Sequence, residues 1–195
     1  MFAARADRVL AFDVSESAIA EAQGRHGRPN LVYTFGDATS LPVPSGSVDT
    51  YVSLETIEHV DQVQTYLAEA TRILKPGGQF ICSTPNREVT NPGKGLDSRP
   101  ANRFHLREYD FTEFRALLAA HFHSVRMYGM NPLPKWLPAL LATLNRSGES
   151  HLPTRLHQAI KLCASPARSR RYHDVVEVSP RFKYEYLVAV ARRGG

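Results

Sequence analysis

Apolar and polar positions in the first 85 residues switch repeatedly between two periods. Residues 8–13 (RVLAFD) form a short apolar run ending in an acid, which predicts a buried strand. Residues 15–23 follow as a helix, with Ser15 placed to cap it and Gly24 near its end. Leu31–Phe35 predicts a second strand, closed by Gly36 and Asp37, and Val48–Leu54 a third, after the turn-rich stretch 42–46. Between 61 and 74, Val63, Tyr66, Leu67, Ala70 and Leu74 recur on one helical face. Lys75-Pro76-Gly77-Gly78 stops that helix, and residues 79–83 are the next strand. Strands separated by helices on this rhythm predict an α/β fold with a mostly parallel sheet.

The second half is less regular. Residues 86–103 read as a loop rich in Asn, Pro, Gly and Arg, long enough to be either a lid or unstructured. Residues 111–122 predict a helix with Thr112 at its cap, and 123–128 and 184–191 predict late strands. Between those strands lies an insert, about 130–180, with an amphipathic stretch at 136–144. No internal repeat is present, and one domain over 1–195 is the expected organisation.

Composition changes this picture little. No apolar run approaches the roughly 20 residues that span a bilayer, and residues 1–12 lack a secretory pattern. Two cysteines, Cys82 and Cys163, sit in unlike contexts and give no disulfide framework, so a cytoplasmic location is expected. The net charge of +5 draws on late arginines (Arg168, Arg170, Arg171, Arg192, Arg193). These suit an anionic partner or simply a solvated face.

Candidate chemistry gathers where parallel strands end, because loops and helix N-termini open there to ligands. Asp13 closes the first strand, where a carboxylate can accept both hydroxyls of a ribose. Asp37 and Ala38 close the second, facing an exocyclic amine and a purine edge. Leu54 closes the third. Each taken alone also serves as a cap or turn residue; their order and spacing distinguish the set.

Asp13, then Gly36-Asp37-Ala38, then Val48-Asp49 with Glu58-His59-Val60, then Leu74-Lys75-Pro76-Gly77-Gly78, resembles the class I S-adenosylmethionine-dependent methyltransferases. The resemblance is close over residues 6–85 and looser in the late strands. It implies a Rossmann-like sheet, mostly parallel, with an antiparallel late strand. It also implies S-adenosylmethionine as cofactor, with Asp13 at the ribose, Asp37 and Ala38 at the adenine and Leu54 at the methionine end.

The family pattern opens with a strand and a glycine-rich turn about 20 residues before the acid that holds the ribose. Only 12 residues precede Asp13, and none makes that turn. The expectation is therefore a sheet lacking its usual first strand, in a chain truncated before the glycine-rich motif. A degenerate protein that keeps the scaffold without catalysis is the alternative.

A second constellation is Leu54-Glu55-Thr56-Ile57-Glu58-His59. On a helix, Glu55, Glu58 and His59 would share a face and suit Mg²⁺ or another divalent ion, with His105 as a fourth ligand. The pattern resembles the O-methyltransferases of ubiquinone biosynthesis, as does Ser83-Thr84-Pro85-Asn86-Arg87. It equally resembles the small-RNA 2′-O-methyltransferases. Without a metal, His59 or His105 would be the general base for a substrate hydroxyl; as caps or core partners they would have no chemical part. The resemblance to methyltransferases thus implies O-methylation of a small-molecule or glycan hydroxyl. RNA is the rival acceptor, disfavoured because no interleaved Arg–aromatic stripe is present.

Overall fold

The computed structural model describes residues 2–146 and 175–195. Strand β1 (Val9–Asp13), helix α1 (Glu16–His26) and strand β2 (Leu31–Phe35) form a first unit, with β1 and β2 paired in parallel. The Ser15 hydroxyl accepts from the Ala18 N–H at 3.2 Å, so Ser15 caps α1 as its residue type predicts.

Strand β3 (Val48–Leu54), a 3-10 turn (Ile57–His59), helix α2 (Val63–Ile73) and strand β4 (Leu74–Pro85) form the second. A short turn of helix α3 (Arg87–Thr90), helix α4 (Phe111–Ala119), strand β5 (Ser124–Pro134), helix α5 (Trp136–Arg146) and strands β6 (Val176–Glu177) and β7 (Phe182–Arg192) follow. The five-stranded order is β3-β4-β7-β5-β6. β3 and β4 are parallel, whereas β7 runs antiparallel to both β4 and β5. Sequence patterning placed most of these elements, but not α3, which falls in the stretch 86–103 expected as a loop, nor β6, nor the start of β4, which takes in Lys75-Pro76-Gly77-Gly78. It missed the length of β5, which reaches Pro134, and the cap of α4: Asp110 and Glu113 make a reciprocal capping box there, not Thr112.

Helix α2 shows why the core sits where it does. Val63, Tyr66, Leu67, Ala70 and Ile73 are buried at one-face spacing. Each large apolar side chain so buried stabilises the fold by about 1.5–3 kcal/mol. Tyr66 and Phe122 pack their rings on Phe80 of β4, the latter stacked with centroids 5.2 Å apart.

The strands do not form one sheet. Among the described residues none hydrogen-bonds β1 to β3, and the two strand groups meet through side chains. Phe12 packs on the cluster of Leu41, Val43 and Ile73, which Val48 and Tyr51 of β3 also touch. A parallel edge strand directs alternate N–H and C=O groups away from its partner, so β1 and β3 each keep one such open edge. The segment linking the groups is pinned to α2 by Glu69, whose Oε1 accepts from the Leu41 N–H at 2.6 Å while its carboxylate also binds Arg72.

No helix among the described residues is long and apolar enough to cross a membrane. Cys163, His151, His157, His173, the arginines at 168, 170 and 171, and the insert between 147 and 174 lie outside the described residues.

Candidate functional site

Two groups of predicted residues come together, each at a strand end. In the first, the Gly36 N–H donates to the Asp13 carbonyl at 3.1 Å and ties the ends of β1 and β2. Glycine is required there, because a Cβ would lie 2.6 Å from Phe12 Cδ1. Asp13 and Asp37 thus emerge from neighbouring strand ends, both exposed. Asp13 Oδ1 accepts the Ser15 N–H at 2.8 Å. Asp37 Oδ1 accepts the Thr39 N–H at 2.8 Å and its hydroxyl at 2.7 Å. These bonds, the backbone one foremost, hold the Asp37 carboxyl below its ordinary value. Among the described residues the bonds to both acids use Oδ1, so Oδ2 of each remains for a ligand. Ala38 is half-buried against the main core, and Leu54 is exposed at the end of β3.

The second group is built by two stitches between residues 45 or more apart in sequence. The Leu106 N–H donates to the Glu58 carbonyl at 2.8 Å, and His59 Nδ1 meets the Phe104 carbonyl at 2.9 Å. A carbonyl only accepts, so His59 carries its proton on Nδ1 and presents a bare Nε2. These contacts bring the rings of His59 and His105 edge to face, with centroids 4.9 Å apart. Glu58 lies beneath them with its side chain fully buried. Its Oε2 accepts from Thr84 Oγ1 at 3.2 Å, its Oε1 has no hydrogen-bond partner among the described residues, and His59 Nε2 is 4.0 Å from that oxygen. Burial pushes the Glu58 carboxyl above its ordinary value.

Glu55, the other residue expected here, does not join this group. Residues 55–59 are not one helix: only Ile57–His59 make a 3-10 turn, and Glu55 precedes it with φ 51°. That left-handed backbone turns Glu55 toward β4, where its carboxylate accepts from Ser83 Oγ at 2.6 Å. Burial, with Glu58 nearby, pushes the Glu55 carboxyl up to about 7. Among the described residues, ligand atoms of Glu58, His59 and His105 fall within 4.8 Å of one another.

The sequence reading missed Glu108. Its Oε1 lies 2.6 Å from His105 Nδ1, and its Oε2 accepts from Thr90 Oγ1 at 2.5 Å. Asn102 Nδ2 lies 2.8 Å from His105 Nε2. The three-residue step from His105 to Glu108 was the available signal. A cavity of about 620 Å³ lies elsewhere, lined by Val9, Ala11, Leu31, Tyr33 and the end of α1, and takes in none of the predicted site residues.

Residues 1–82 match the family model described as a methyltransferase domain. The chain is 40% identical over 114 residues to a protein of Mycolicibacterium smegmatis named as a probable S-adenosylmethionine-dependent methyltransferase, covering 58% of this chain and 42% of that protein. It is 44% identical over 68 residues to a ubiquinone/menaquinone biosynthesis C-methyltransferase of Caulobacter vibrioides, covering 35% of this chain and 27% of that one. The chain therefore spans less than half the length of these relatives. A SAM-dependent methyltransferase of Thermotoga maritima has a similar fold, with TM-score 0.63 at 20% identity over 94% of this chain and 72% of that one. Rossmann-like α/β architecture of the methyltransferase type is thereby established.

Proposed function

We propose that this chain carries the acceptor side and part of the cofactor side of an S-adenosylmethionine-dependent methyltransferase that methylates a hydroxyl of a small molecule or glycan. The observation that carries the reading is the meeting of His59 and His105 over buried Glu58, beside the end of β3. Bound S-adenosylmethionine supplies an electrophilic methyl group on a sulfonium, a strong leaving group.

The chain's own residues supply position and proton acceptance. Asp13 and Asp37 each have Oδ2 left to accept, from ribose hydroxyls and from the adenine amine respectively. Ala38 faces the base and Leu54 the methionine end. A hydroxyl must shed its proton as it attacks, and the bare Nε2 of His59 is set to take it, with His105 beside it. Holding the hydroxyl in line contributes through orientation. Arg107 and exposed Phe104, whose ring lies 4.6 Å from the Arg103 guanidinium, border the site.

A divalent ion is the second reading, favoured by the unpartnered Glu58 Oε1 facing His59 Nε2. Two lone pairs 4.0 Å apart call for a proton or a cation between them. Two imidazoles and one carboxylate suit a borderline ion such as Mn²⁺ better than Mg²⁺, and such an ion would raise the acidity of the acceptor hydroxyl. That version would also serve an RNA 2′-hydroxyl.

The test incubates the chain with S-adenosylmethionine and panels of phenolic, sugar and RNA acceptors, with and without Mn²⁺, and measures S-adenosylhomocysteine formed. Acceptor-dependent formation lost in His59→Ala supports the reading. Formation with a carbon acceptor alone overturns O-methylation, and none with any acceptor supports a non-catalytic scaffold.

A further inference from the structure

We propose that Glu108 is a positioning residue that fixes His105 in one tautomer, with the proton on Nδ1 and the lone pair on Nε2. The inference rests on the reading of His105 as part of the acceptor site.

Three contacts carry it. Glu108 Oε1 sits 2.6 Å from His105 Nδ1, close for a nitrogen–oxygen hydrogen bond. The glutamate is 2% exposed, and its other oxygen accepts from Thr90 Oγ1, which prevents the carboxylate from rotating away. On the far side of the ring, the Asn102 amide nitrogen lies 2.8 Å from Nε2. An amide nitrogen only donates, so Nε2 accepts and the proton sits on Nδ1. Both neighbours therefore specify the same tautomer.

The backbone keeps this arrangement in place. The Arg87 N–H donates to the Tyr109 carbonyl at 2.9 Å, and Asn86 bridges Tyr109, so the residue after Glu108 is fastened to the start of α3. The Leu106 N–H bond to Glu58 fastens the residue after His105. A carboxylate on Nδ1 also makes Nε2 a better base or ligand. The acceptor would displace a neutral, exposed amide, Asn102, to reach Nε2.

The test is long-range ¹H–¹⁵N NMR of the imidazole nitrogens in the full chain at pH 8, with His105 assigned by loss of its signal in His105→Gln. The wild-type protein should show His105 protonated on Nδ1 only. Glu108→Met, which keeps the volume and removes both acceptor oxygens, should move the population toward the Nε2–H form. A wild-type His105 protonated on Nε2, or on both nitrogens, would overturn the proposal, as would an unchanged tautomer in a folded Glu108→Met. Should that variant fail to fold, the wild-type spectrum still decides. The readout needs no cofactor or acceptor, so a chain that transfers no methyl group leaves it standing.

Discussion

The imidazole rings of His59 and His105, 46 positions apart in sequence, meet edge to face with centroids 4.9 Å apart. Their meeting follows from two stitches, the Leu106 N–H bond to the Glu58 carbonyl and the His59 Nδ1 contact with the Phe104 carbonyl, and each ring has a defined nitrogen toward the site. In the proposed reaction they handle the acceptor proton and do not hold the cofactor. His59→Ala should therefore lower the methyl-transfer rate by about 10²–10⁴-fold, while S-adenosylhomocysteine affinity stays within a few-fold of wild type. Steady-state rates and calorimetry on the same preparation separate the two effects; a parallel loss of cofactor binding would place His59 on the other side of the site.

Gly36 is the joint between the strand ends that present Asp13 and Asp37. Its amide bonds Asp13, and a Cβ would run into the Phe12 ring. Gly36→Ala should destabilise the chain by about 1–3 kcal/mol through overpacking and should weaken cofactor binding as Asp13 and Asp37 shift. Urea denaturation measures the first effect.

Glu69 ties α2 to the segment that links the two strand groups. Its bonds from Arg72 and the Leu41 N–H hold its carboxyl below the ordinary value. Glu69→Ala leaves the Leu41 N–H without its partner and should cost about 1–3 kcal/mol. A carboxyl depressed in the fold stabilises fully above its unfolded pKa and loses that contribution as pH falls through the folded value. Thermal melts of wild type and Glu69→Gln should therefore converge on acidification, and a gap that widens in acid would contradict the assignment.

Glu55 has the opposite sign. Its carboxyl is pushed from 4.5 up to about 7, chiefly by burial. The fold favours the neutral form, so stability falls as pH rises from 4.5 to about 7 and is level above. Glu55→Gln should flatten that fall in melts taken between pH 4.5 and 8.

Most of the fold was legible because its signals are local. Ser15 caps α1 as its residue type predicts, and the spacing of Val63, Tyr66, Leu67 and Ala70 fixed the buried face of α2. Asp13 and Asp37 were legible because each closes an apolar run. The Glu55–Glu58–His59 group was misread because the spacing argument assumed a helix. The φ of 51° at Glu55 is a property of the turn against β4 that periodicity does not carry. Glu108 was missed for the converse reason. Its role depends on the 105–108 segment folding back so that one carboxylate reaches both His105 and Thr90, and a sequence shows only a glutamate three places after a histidine. The division of the strands into two sheets likewise depends on which edges meet in space.

In the proposed function this chain holds the cofactor of methyl transfer through its strand-end acids, Asp13 and Asp37. Calorimetric titration with S-adenosylhomocysteine tests it most directly. The expected result is saturable binding that Asp13→Ala weakens by about ten-fold or more, as loss of charge-assisted hydrogen bonds requires. Absence of binding by the folded wild-type chain, or binding indifferent to Asp13→Ala, would contradict it.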